Sequence, residues 1–188
     1  MKIDYKNFEI EVIDDKNYIL NSNNNFRQYQ KIYFEESKFQ PTTKHAVIIK
    51  EYGIEISSVI ICETEGATGI YENSCIIEDD KIWIRVSNKI YCLKIPSLEI
   101  IWQKEFDQFT NFCFYKLEED FLIHGELEIF RITKNGEIIW SFGGRDIWVN
   151  PEGSEEFTIK NNVILLVDFE SNRYILDFDG KLLEDIPK

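Results

Sequence analysis

The residues best suited to chemistry fall in four short stretches. His124-Gly125-Glu126 sets an imidazole two residues from a carboxylate. A histidine can act as general base or metal ligand, and a glutamate can orient it. A tight turn in which Gly125 supplies backbone freedom is the plainer reading. Gly143-Gly144-Arg145-Asp146-Ile147-Trp148 is the second stretch. Its glycines permit close backbone approach, consecutive N–H groups could form an anion-binding nest, Arg145 could fork onto a carboxylate or phosphate, and Trp148 offers a stacking face. The plainer reading is a loop between repeat units, with Arg145 and Asp146 as a local ion pair. Glu63-Thr64-Glu65-Gly66-Ala67-Thr68-Gly69 carries two carboxylates of the kind that do acid–base work or bind a cation, or it is a surface loop. Asp177-Phe178-Asp179-Gly180 opens like a calcium loop, but position twelve counted from Asp177 is Lys188 rather than a glutamate, so a hairpin turn is expected.

Other chemistry lacks support. His45, the second of two histidines, opens a strand and is read as structural. No clustered histidines suggest zinc, and neither a G-x-S-x-G nor a P-loop string is present. The four cysteines, Cys62, Cys75, Cys92 and Cys113, each sit in an apolar run with no C-x-x-C pair. They are expected to be buried reduced thiols rather than disulfides or zinc ligands. The sequence therefore names no catalytic residue, no metal site and no cofactor. It leaves His124, Glu126, Arg145, Asp146 and Trp148 as candidate ligand-binding residues.

These residues must be held by something, and composition says what. The chain has 188 residues, 34 acids against 21 bases, a formal charge of −13 and 44% hydrophobic residues. That apolar load excludes a disordered chain. Two alanines against thirty isoleucines argue for strands over helices. The acidic balance speaks against gripping a phosphate backbone. The start, Met1-Lys2-Ile3-Asp4-Tyr5-Lys6, lacks the apolar core expected of a signal peptide, and no apolar run reaches the length of a membrane span. A bacterial, cytoplasmic protein with no nucleic-acid or membrane partner is expected, its oligomeric state open.

From residue 44 onward the pattern predicts short strands between turn signals: His45–Lys50, Ile54–Cys62, Cys75–Ile77, Lys81–Val86, Lys89–Lys94 and Leu98–Lys104. Phe26–Glu36 has both helical spacing and strand chemistry, and a strand is favoured. Glu99-Ile100-Ile101-Trp102 then recurs as Glu137-Ile138-Ile139-Trp140, 38 residues later. The flanking strands and turns recur with it, ending in Lys134-Asn135-Gly136 before the second copy. A fainter third copy runs through Val163–Asp168, Arg173–Phe178, Asp179-Gly180 and Lys181–Glu184. Trp83, Trp102 and Trp140 are read as core.

A unit of about 40 residues with four strands resembles a β-propeller blade. The turn followed by x-I-x-W resembles blades of the PQQ, or quinoprotein-like, type over roughly residues 74–186. That family's cofactor chemistry is not carried over, because no matching site is visible. The expected fold is all-β: antiparallel four-strand repeat units in a small propeller-like array. A two-sheet β-sandwich or an open meander is the alternative. The expected organisation is a single domain, 1–188, with an N-terminal unit or cap (1–73) and repeat units 74–106, 111–148 and 155–186. The leading functional expectation is a non-enzymatic protein-interaction module. Its acidic charge would suit an inhibitor or immunity protein for a basic toxin. A small-ligand-binding or hydrolytic propeller using His124, Glu126, Arg145 and Asp146, and a structural scaffold, stay open.

Overall fold

The computed structural model describes residues 1–151 and 155–188. The chain forms two units, Met1–Glu105 and Phe106–Lys188. In both, aliphatic residues alternate along short strands, so each strand offers an apolar face that only another sheet can cover.

Unit Met1–Glu105 contains two sheets. The first is built from β1 (Lys2–Tyr5), β2 (Phe8–Asp14), β3 (Lys31–Phe34), β4 (Thr43–Glu51) and β5 (Ile54–Glu63), in the order β1-β2-β4-β5-β3. Four of these strands run antiparallel to their neighbours, and β3 lies parallel on the outside of β5. The strand favoured over Phe26–Glu36 is therefore real but short. The second sheet is β6 (Cys75–Glu78), β7 (Lys81–Val86), β8 (Lys89–Lys94) and β9 (Ile100–Glu105), in sequence order. One shared core joins them: Ile10, Val12, Val47, Ile49, Val59 and Ile61 from the first sheet meet Ile82, Ile84, Val86, Tyr91 and Leu93 from the second. On its other face the first sheet packs Ala46, Ile48, Ile60 and Cys62 under Tyr18 and Tyr29.

Unit Phe106–Lys188 repeats the plan. Its sheets are β10 (Asn111–Leu117), β11 (Asp120–Gly125), β12 (Glu128–Thr133) and β13 (Ile138–Gly143), then β14 (Phe157–Lys160), β15 (Val163–Val167), β16 (Arg173–Asp177) and β17 (Leu182–Ile186). Leu117, Leu122 and Ile129 face Phe157, Ile164, Leu166, Tyr174 and Leu176, with Trp148 among them. Burying one isoleucine stabilises by roughly 2 kcal/mol, against at most about 1 for an exposed ion pair. Sheet faces, not surface charges, hold each unit together.

The fold is all-β: antiparallel four-strand sheets, the first with β3 added as a parallel fifth strand, consistent with a small propeller-like array. Among the described residues the strands form four separate sheets rather than one meander or two large sheets. Hairpin turns at Tyr52-Gly53, Asp79-Asp80 and Asn161-Asn162 have both central residues at positive φ, which matches the twist of the strands they join. All four cysteines are free thiols. Cys62, Cys75 and Cys92 are buried, and burial pushes the first two up to about 12 and Cys92 to about 11.

The letter-for-letter repeat has a structural meaning. In the second sheet Leu93 pairs with Ile100 and Cys92 with Trp102, so Ile101 is an extra residue, a bulge. Ile139 and Leu183 are the extra residues at the matching places of the third and fourth sheets. The first sheet has its bulge there too, at Ile56. A bulge re-aims the next side chain. In the third sheet that is Trp140, whose indole N–H donates to the Phe178 carbonyl at 2.9 Å. Gly180 lies against the same indole: a Cβ there would come within 2.6 Å of Trp140 Cδ2, and its φ is +79°. Arg131 donates to the same carbonyl at 2.9 Å and pairs with Asp120 at 2.7 Å. Two neighbouring sheets are thus latched at one turn. Asp177 Oδ1 accepts from the N–H groups of Asp179 and Lys181, the hairpin expected of Asp177–Gly180.

Candidate functional site

Two clefts concentrate the chemistry, one in each unit. The cleft in Phe106–Lys188 has a volume of about 400 Å³ and surrounds His124 at the end of β11. A register shift between Asn111 and Cys113 makes Phe112 an extra residue in β10 and sets Cys113 opposite His124. Phe112 meets the imidazole edge-on at 5.4 Å between centroids. On the other side the Tyr115, Phe157 and His124 rings form a stack, with successive centroids 4.9 and 5.2 Å apart. His124 is only 5% exposed. Its Nε2 lies 3.3 Å from the Trp148 carbonyl oxygen. Burial lowers its pKa to about 4, against a partial upward pull from that carbonyl, so the ring is neutral at pH 7. Trp148, Val149, Glu155 and Glu156 complete the lining.

Of the five candidate residues, the structure brings His124 and Trp148 together at this cleft. Glu126 acts there through its backbone: its N–H donates to the Thr110 carbonyl, and its carbonyl accepts from the Trp148 N–H, both at 2.8 Å. Arg145 is drawn to the edge strand β17, in a bidentate pair with Asp185 at 2.6 and 2.7 Å and over the Tyr174 ring. The Asp146 carboxylate accepts from the next backbone N–H at 2.7 Å rather than pairing with Arg145. Gly125 is required for closeness, not for a special turn: a Cβ would meet Asp107 Oδ2 at 2.4 Å. Gly144 likewise makes room for the Trp148 ring. The sequence signalled neither Phe112, Tyr115 and Phe157 nor the two glutamates, because a bulge and a separate sheet bring them in.

The cleft in Met1–Glu105 is polar, with a volume of about 260 Å³. Glu35, Glu36, Glu63, Glu65 and Glu105 line it, with Lys89 as the cation among them. Glu63 closes β5 and is 4% exposed. It accepts a short hydrogen bond from the Tyr91 hydroxyl and pairs with Lys89 at 3.0 Å. Glu35 reaches Lys89 at 3.4 Å from the far side, with its own side chain 79% exposed. Burial works to lower the Lys89 pKa, but Glu63 and Glu35 outweigh it and hold the value up. Burial, then the Glu63 carboxylate, pushes the Tyr91 hydroxyl well above its ordinary value. Next to this cleft, and sharing Phe34 and Glu35 with it, runs a groove of about 340 Å³ walled by Ile32, Tyr33 and Ile100.

Among the described residues, no group of three or more His, Cys, Asp or Glu could hold a metal ion. No helix there is long and apolar enough to cross a membrane.

No protein-family model matches the chain, and no curated protein matches it in sequence. Solved structures do. The chain is similar to BamB from Moraxella catarrhalis at a TM-score of 0.53 and 16% identity, over 74% of this chain and 42% of that one. It is similar to the computationally designed Ika8 protein at a TM-score of 0.52 and 8% identity, over 98% of this chain and 60% of that one. The chain therefore spans less than two thirds of either. At these identities the likeness is one of fold, and that fold resembles β-propeller blade repeats.

Proposed function

We propose that the chain is a protein-interaction module that engages a basic partner, with the cleft around Glu63 as the receiving point. The observation that supports this is the charge arrangement. Five glutamates face a single lysine that two of them already occupy. Glu63 is fixed by Tyr91 and Lys89, so it need not reorganise on binding. The exposed glutamates and the −13 charge attract a cation from a distance. An arginine or lysine of the partner would enter between Glu35, Glu36 and Glu65, with neighbouring apolar side chains along Ile32 and Tyr33. An inhibitor or immunity protein for a basic toxin is the specific form this reading takes.

The test is capture of binding proteins from the source cells at low salt. Wild type is expected to retain a basic protein, with affinity falling steeply as salt rises. A Glu35→Lys, Glu36→Lys, Glu65→Lys variant should lose it. Retention unchanged by the triple variant would remove the cleft from the interaction, and retention of acidic proteins alone would end the charge argument.

A further inference from the structure

The fourth sheet has one buried face and one half-exposed face, and both are apolar. We propose that the half-exposed face pairs with the same face of a second copy of the chain, giving a two-fold symmetric dimer. This stands apart from the protein-binding reading above, which uses the other unit.

Along β15 and β16 buried residues alternate with more exposed ones. The buried set packs on the third sheet. The other set is Val163, Leu165, Val167 and Ile175, joined on the same face by Ile186 of β17. An antiparallel sheet with one face in water carries polar residues there, and here aliphatics stand in their place. Along β7, β8 and β11, by contrast, consecutive residues are buried, so both faces of those strands are covered.

Register identifies what this face is built to meet. Leu122 is opposite Arg131, and Arg131 opposite Trp140. Leu165 is opposite Ile175, and Ile175 opposite Glu184. Leu165 therefore holds the place of Leu122, by which the third sheet packs on the fourth. The face repeats an internal sheet-on-sheet surface, so a further sheet of this kind fits it at a spacing of about 10 Å. The outer face of the first sheet is already covered by Tyr18 and Tyr29, which leaves the fourth sheet of a second copy.

Charges at the corners set the symmetry. Glu155 precedes β14 and Arg173 opens β16, and both line the groove of about 320 Å³ on this face. With β15 between them they stand on the order of 10 Å apart, too far to pair within one chain. At the other end of the face Lys160 and Asp177 flank Val163 in the same way. A two-fold axis along β15 sets Glu155 over the partner's Arg173 and Lys160 over the partner's Asp177. Leu165 then packs on its own copy. An axis across the strands would instead bring Glu184 onto the partner's Glu184. At physiological salt the Debye length is about 8 Å, so the −13 charge of each copy does not forbid the approach.

Sedimentation velocity at physiological salt, from about 1 μM to about 1 mM protein, reads the assembly state. Wild type should move from monomer to dimer as concentration rises. Leu165→Lys, at the centre of the face, should stay monomeric. Arg173→Glu and Glu155→Arg each set two like-charge pairs across the two-fold axis, so each alone should stay monomeric too. An equimolar mixture of these two variants carries opposite charges at both places and should sediment as a heterodimer. Both residues are exposed, so neither substitution threatens the fold, and circular dichroism checks all three variants. The proposal is overturned by a wild type that is monomeric throughout or that grows beyond a dimer. It is equally overturned by a dimer that survives Leu165→Lys or either charge reversal, or by a mixture that stays monomeric.

Discussion

His124 and His45 are the two histidines, and both are buried where a charged ring is unwelcome. His45 has one ring nitrogen 3.0 Å from the Thr68 carbonyl and the other 3.3 Å from that of Arg85. Burial pushes its pKa down, with the Thr68 carbonyl pulling the other way. His124 falls from about 6.5 to about 4. Between these values the unfolded chain binds protons that the folded one refuses, so stability falls as pH drops through that window. For His124 alone the loss approaches about 3 kcal/mol by pH 4. Urea unfolding at a series of pH values should show this slope, and the His124→Phe variant should flatten it. A slope identical in wild type and variant would mean that His124 is not held neutral by burial.

At the level of the strand and its turn, the second copy of the repeated Glu-Ile-Ile-Trp acts as a latch. Its isoleucines are 36% to 56% exposed in both copies, so burial does not explain their recurrence. The bulge they form turns Trp140 onto Phe178 and Gly180, tying the third sheet to the fourth. In the fourth sheet Glu184 stands in the tryptophan's place, opposite Ile175 as Trp140 is opposite Arg131. Trp140→Ala should therefore destabilise by about 3 kcal/mol, since it removes a large packed ring together with its hydrogen bond. Trp140→Phe should cost about 1 kcal/mol, the hydrogen bond alone. Gly180→Ala should cost more than an ordinary turn substitution, because the new methyl meets Trp140 and the φ is positive. Denaturant unfolding of the three variants gives the ordering, and an alanine at Gly180 that is neutral would deny the close approach.

Over the whole molecule the dominant fact is charge. With −13 at neutral pH, like charges outnumber the ion pairs that could offset them. Several of those pairs are exposed, such as Lys6–Asp80 and Lys134–Glu119, and water and salt screen them to little net effect. Self-repulsion should therefore prevail, and added sodium chloride should raise the midpoint of thermal unfolding by screening it. A midpoint that falls with salt would show instead that the ion pairs outweigh the repulsion. The same screening weakens capture of a basic partner, so stability and binding should respond to salt in opposite directions.

Much of this protein is legible along the chain. Lys81–Val86 and Lys89–Lys94 are strands with the bounds their alternation predicts, and the recurrence at 38 residues marks real four-strand units. Hydrogen bonding within a hairpin is local, so β-branched runs and turn residues suffice to announce it. The clefts are another matter. Glu35 meets Lys89 across 54 residues because β3 pairs in parallel with β5, and Arg145 finds Asp185 rather than its neighbour Asp146. Phe112 reaches His124 through a register shift that no spacing rule anticipates. Side-chain meetings of this kind depend on how sheets pack and where bulges fall, free energies shared among distant residues that have no local signature.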